Sequence, residues 1–153
     1  MSDDWFEMLV ALEREGARFL VIGAHALALY GVPRGTQDLD VWVDPEPANA
    51  ERVWRALVRF GAPPATLDVA VTDLLMSGQV IQIGVPPNRI DVLTSVTGVP
   101  SFADAWSGRL LHPVRGHPMP FLGRDALVAT KRATGRLKDQ ADLEALGELP
   151  NER

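Results

Sequence analysis

Six residues, Asp38-Leu39-Asp40-Val41-Trp42-Val43, constrain this chain more than any other stretch of it. Their side chains alternate with a period of two, which fits a strand and not a helix. Leu39, Val41 and Val43 take one face, and Asp38, Asp40 and Trp42 take the other. Carboxylates at i and i+2 of a strand point to the same side, about 7 Å apart at Cα. Such a pair can share a magnesium ion, a hard cation that selects oxygen ligands. The chain has twelve aspartates in 153 residues, so about one Asp-x-Asp pair arises by chance. A strand end carrying two solvated acids is therefore the competing reading, and the flanking sequence has to decide.

The flanks read as an alternation of helices and strands. Residues 4–15 place Trp5, Met8, Leu9 and Leu12 at helical spacing before Gly16. Residues 18–22 form a short apolar strand that Gly23 breaks, and 24–30 read as a helix. Gly31, Pro33 and Gly35 force a loop ahead of the Asp-x-Asp strand. Pro45 and Pro47 open a helix that runs to about Phe60. A short helix is expected within 68–76 and strands over 79–85 and 89–94, and Ser101 caps a short helix. Two small strands are expected at 109–114 and 118–122, then helices at 124–134 and 139–146 broken at Gly135. The pattern predicts an α/β (α+β) domain: a mixed β-sheet flanked by helices, with a C-terminal helical segment.

Two further features bear on chemistry. Gly23 sits at a strand-to-helix turn, where a small residue lets backbone N–H groups approach a phosphate; a plain turn glycine is the alternative. In Arg89-Ile90-Asp91-Val92-Leu93, Asp91 lies opposite Ile90 and Val92 and beside Arg89. An acid within an apolar strand is costly unless it meets a cation or hydrogen-bond donors. A third carboxylate there is placed to ligate metal and to take a proton, or simply to pair with Arg89.

Composition narrows the classes. With 46% hydrophobic and 23% charged residues the chain is globular in type, and with no cysteine it has neither a disulfide scaffold nor a thiolate zinc site. No apolar run approaches a membrane span, and acids stand near the N-terminus where a signal peptide needs bases, so a cytoplasmic protein is expected. The net charge of −5 is unevenly placed: residues 1–108 carry −7, 109–138 carry +6 and 139–153 carry −4. An acidic body beside a basic segment suits a site for both metal and phosphate. Basic residues decorating surface helices give the same count. Trp42, Trp54 and Trp106 read as core, and His112 and His117 lack partners at zinc-ligand spacing.

Taken in order, Val21-Ile22-Gly23-Ala24-His25, then Arg34-Gly35-Thr36-Gln37-Asp38-Leu39-Asp40-Val41, then Arg89 to Thr94, resemble the signature of the DNA polymerase β-type nucleotidyltransferase superfamily. Lys131 to Asp139, with Asp142, resemble the basic block of its small bacterial members, which include abortive-infection and toxin–antitoxin proteins. The likeness spans about 17–147. It departs at Ala24, where a second glycine or a serine is usual, so only a backbone N–H is offered there.

The resemblance implies one nucleotidyltransferase domain over 1–153, with a catalytic core at about 17–100 and a basic C-terminal part at about 101–147. It implies transfer of a nucleoside monophosphate from an NTP to a hydroxyl of an RNA (tRNA) or protein acceptor, with pyrophosphate released. Asp38, Asp40 and Asp91 would be the catalytic residues and ligands of a two-ion Mg²⁺ site. Gly23, Ala24 and His25 would meet the phosphates, with His25 otherwise a helix-start residue without a ligand. Arg34 and Thr36 enter the metal strand, and Arg34 either forks onto phosphate or anchors the loop. Lys131 either reaches inward to phosphate or snorkels to the surface. Asp139 and Asp142 have N-cap and N3 spacing and are read as capping rather than catalytic. Two alternatives stay open: an antitoxin-like module that kept the fold without the chemistry, and an RNA-binding protein using the basic segment.

Overall fold

The elements follow from local rules that the computed structural model, which describes residues 1–148, makes visible. Helix α1 (Asp3–Arg14) starts at Ser2, whose hydroxyl accepts the Trp5 N–H at 3.2 Å. It buries Trp5, Met8, Leu9 and Leu12 on one stripe. Strand β1 (Phe19–Ile22) leads directly into the short α2 (Gly23–Leu29). Strand β2 (Asp38–Val43) is followed by α3 (Pro47–Phe60), which has proline in its first turn and Gly61 in a left-handed conformation at its end. Strands β3 (Val80–Ile83) and β4 (Arg89–Leu93) precede α4 (Phe102–Ser107), whose cap is Ser101. A hairpin of β5 (Leu110–Val114) and β6 (His117–Phe121) leads to α5 (Arg124–Thr134) and α6 (Leu137–Ala145).

Two expectations shift. The short helix expected within 68–76 is a 3-10 turn, Val71–Leu75, and a second one that was not expected, Pro64–Leu67, precedes it. The last helix begins at Leu137 rather than 139, because Gly135 ends α5 in a left-handed turn and Arg136 already occupies the cap position. Residues 149–153 of the expected domain lie outside the described residues. Among the described residues no helix is long and apolar enough to cross a membrane.

The six strands form one mixed sheet in the order β3-β4-β2-β1-β6-β5. β2 pairs antiparallel with β1 and parallel with β4, and β1 pairs parallel with β6. Each face of the sheet has its own core. Leu39, Val41, Val43, Ile90 and Val92 pack against α1 and α3 through residues such as Leu9, Leu12, Val53 and Leu57. Leu20, Ile22 and Trp42 face the other way and join Phe102, Leu122 and Leu127. Trp42 is buried, with Phe102 edge-on at 5.1 Å, so this tryptophan is core. The alternation in β2 thus does two jobs: every second residue closes one core, and the intervening residues carry acids for two positions before Trp42 enters the second core.

Candidate active site

Strand register assembles the carboxylates. In the parallel β2–β4 pair, Asp40 stands beside Asp91, and Asp38 stands beside Arg89. All four side chains therefore rise from the same face as a two-by-two patch. Asp38, Asp40 and Asp91 each offer an oxygen within 4.8 Å of the others, close enough for one cation to touch all three. Arg89 Nη2 donates to Asp38 Oδ2 at 2.8 Å and to Asp91 Oδ2 at 3.2 Å. Asp91 is buried, and its Oδ1 has no hydrogen-bond partner among the described residues. A buried carboxylate oxygen without a donor is costly, and a hard cation is the partner that its chemistry fits.

Burial, the charges of Asp38 and Asp91, and a hydrogen bond shared with Asp91 push the Asp40 carboxyl up to about 7, against a smaller opposing pull from Arg89. Without a cation, this acid holds its proton to near neutral pH. Gly23 explains how Asp40 fits so tightly. It has φ +68, and a Cβ there would stand 2.5 Å from Asp40 Oδ2. Only glycine meets both demands, so this turn glycine is fixed by the carboxylate beside it. Thr36 sets the other acid: its hydroxyl donates to Asp38 O at 2.8 Å and lies 3.2 Å from Asp38 Oδ1.

The patch forms one wall of a cleft of about 640 Å³. Arg34, Lys131, Arg136 and Lys138 line the same cleft and make its basic side. Of the residues that the resemblance placed in the site, all but His25 line this cleft. Arg34 anchors its loop, with Nε 3.0 Å and Nη2 2.9 Å from Asp142 Oδ1. Lys131 turns inward, its side chain 13% exposed, and pairs with Asp142 Oδ2 at 3.0 Å and Asp139 Oδ1 at 3.4 Å. His25 lies elsewhere: its ring is edge-on to Trp5 at 4.9 Å. Burial keeps that imidazole below its usual pKa despite a hydrogen bond to the Asp38 backbone. Two residues past Gly23, the helical turn has carried this side chain round toward α1.

The reading of Asp139 and Asp142 as a capping pair is half corrected. Asp139 does cap α6, but from N3, with Oδ2 accepting the Arg136 N–H at 3.2 Å. It is fully buried, which disfavours its charge; bonds from Arg136 and Thr134, with Lys131 nearby, outweigh that and hold it well below the usual carboxylate range. Asp142 caps nothing: it sits buried one turn further on and joins Arg34 to Lys131. Arg89 and Asp142 line the cleft in roles that the sequence reading did not choose, having offered Arg89 as a simple pair for Asp91 and Asp142 as a cap. The i, i+2 spacing of Arg89 and Asp91 was the available signal for the first. For Asp142 the signal was its place in the basic block of the resemblance, while its pairing with Arg34, 108 residues away, left no local trace.

No protein-family model matches the chain, and no curated protein matches it in sequence. Among solved structures, it is similar to the crystal structure of a protein from Thermotoga maritima described as a "putative nucleotidyltransferase". The two share a TM-score of 0.62 at 15% identity, over 92% of this chain and 88% of the other. The chain therefore has a nucleotidyltransferase-like fold, a mixed sheet flanked by helices with a helical C-terminal end.

Proposed function

We propose that this protein is a magnesium-dependent nucleotidyltransferase that moves a nucleoside monophosphate from an NTP to a hydroxyl group of an RNA, such as a tRNA, or of a protein. The observation that carries the reading is the convergence of Asp38, Asp40 and Asp91 within 4.8 Å, in one cleft with Arg34, Lys131, Arg136 and Lys138. A three-carboxylate oxygen set matches magnesium in hardness and charge. Bound there, magnesium would neutralise phosphate charge and make the α-phosphorus more open to attack.

The chain's own residues supply the rest. Asp38, Asp40 and Asp91 hold the cation. The backbone N–H groups at Gly23 and Ala24, both at the edge of the cleft, face the triphosphate. Arg34 and Lys131, fixed by Asp142, set positive charge in the same cleft as the acids, which positions the phosphates without a reorganisation cost at the moment of reaction. Asp91, beside the cation it helps to hold, activates the acceptor hydroxyl and takes its proton. The acceptor oxygen forms its bond to the α-phosphorus as the bond from that phosphorus to the β-bridging oxygen breaks. Pyrophosphate leaves with that electron pair, and the proton on Asp91 passes to solvent.

The test is direct. The protein is incubated with each α-labelled NTP, Mg²⁺ and cell extract, and the macromolecule that gains label is identified. Label that enters RNA or protein with wild type, and not with Asp40→Asn, is expected. Equal transfer by that variant would contradict the site, and no transfer with any NTP would favour a fold retained for binding.

A further inference from the structure

Among the described residues, the cation seated on the carboxylate patch itself is Arg89. Nη2 bridges Oδ2 of Asp38 and Oδ2 of Asp91. Its backbone is pinned from both sides: Trp5 Nε1–H donates to Arg89 O at 3.1 Å, and the Arg89 N–H donates to Gln37 O at 3.3 Å. Its Nε is buried with no partner among the described residues, so the two acids are what hold the guanidinium in place. Three neighbouring cations are engaged elsewhere: Arg34 and Lys131 on Asp142, and Arg136 on Asp139.

We propose that Arg89 takes the place of one divalent cation, so that the free protein's triad binds a single ion through the oxygens Arg89 leaves open, Asp91 Oδ1 among them. This rests on the metal-binding reading of the triad given above, and it replaces the two-ion site implied by the sequence resemblance. Charge balance supports it. Three ionised carboxylates, one guanidinium and one divalent ion sum to zero. A second divalent ion would leave a half-buried site with two uncompensated positive charges before any triphosphate arrives, a costly state in a partly desolvated cleft. Geometry supports it too. The guanidinium already occupies Oδ2 of Asp38 and Oδ2 of Asp91, which leaves fewer carboxylate oxygens for a second ion.

Mn²⁺ titration of the full-length, nucleotide-free protein, followed by electron paramagnetic resonance, tests the idea. Wild type is expected to bind one Mn²⁺ per chain, and so is Arg89→Lys, which keeps the charge. Arg89→Gln is expected to bind two. It should hold the first at least about tenfold more tightly, the lower bound that repulsion between a unit and a double charge sets even in water. Two ions on wild type would overturn the proposal while leaving the triad's metal role standing; so would an Arg89→Gln protein with unchanged stoichiometry and affinity. No Mn²⁺ on either protein would overturn the proposal and the metal-dependent function together. If Arg89→Gln does not fold, anomalous scattering from Mn²⁺-soaked wild-type crystals decides. One peak with Arg89 still on the two Oδ2 atoms supports the assignment, and two peaks or a displaced Arg89 overturn it.

Discussion

The two walls of the cleft are built by different means. The acidic wall is backbone work: Asp38, Asp40 and Asp91 are placed by strand register, between two cores that clamp β2 and β4 from both faces. The basic wall is side-chain work. Arg34 comes from a loop and Lys131 from a helix, and both are held by one buried carboxylate, Asp142. Removing an acid from the first wall should spare the fold and abolish chemistry. Removing the acid behind the second wall should damage the fold first. Perturbed acids cluster at functional sites, and paired structural acids also shift; this cleft holds the crowded Asp40 and the paired Asp142.

The largest expected effect is on the acidic wall. Asp38→Asn or Asp40→Asn should lower metal-dependent transfer by about a thousandfold or more, measured with labelled NTP, with circular dichroism unchanged. On the other wall, Asp142→Ala strands Arg34 and Lys131 and should cost about 3 kcal/mol in urea denaturation, before any assay is run. A loss below about 0.5 kcal/mol would place Asp142 among ordinary surface acids and dissolve the contrast. Asp40→Asn should do the opposite and stabilise the metal-free protein at pH 8 by on the order of 1 kcal/mol, because it removes a charge crowded by two others. Gly23→Ala joins the two effects. Its left-handed φ costs about 1–2 kcal/mol, and its Cβ collides with Asp40 Oδ2, so Mg²⁺ affinity falls along with stability.

The smallest effect is a pH dependence with a defined sign. Asp40 rises from an ordinary value of 3.8 to about 7 in the fold. A carboxyl shifted upward contributes stability that is complete below the ordinary value and is lost as pH rises through the folded one. The metal-free protein should thus lose melting temperature between pH 4 and 7 relative to Asp40→Asn. Mg²⁺ must displace that proton, so its affinity should weaken as pH falls below about 7. A pH-independent difference between the two proteins would show that the acids do not share charge.

The contrast between the walls also marks what the sequence could reveal. Alternation in β2 and the Arg-x-Asp pattern of β4 are local, so strands and faces were legible from period, and the three acids as a set from period together with the family resemblance. The patch they form required the β2–β4 register, which is set by a parallel pairing across 51 positions and by packing that no local period encodes. The basic wall was legible only as an excess of charge. Lys131 turns inward because Asp142 waits there, and Asp142 read as a cap because helix α6 was expected to begin two residues late. His25 failed for a similar reason. Adjacency to Gly23 in sequence becomes a rotation of about 200° around a helix two residues later.

The central claim is that Asp38, Asp40 and Asp91 act as one cation site. Carboxylate ¹³C NMR of aspartate-labelled protein during a Mg²⁺ titration tests it most directly. The account predicts that these three side-chain carbonyl resonances move together along a single binding curve, while those of the buried Asp139 and Asp142 stay still. Three unrelated curves, or no movement at saturating Mg²⁺, would contradict it.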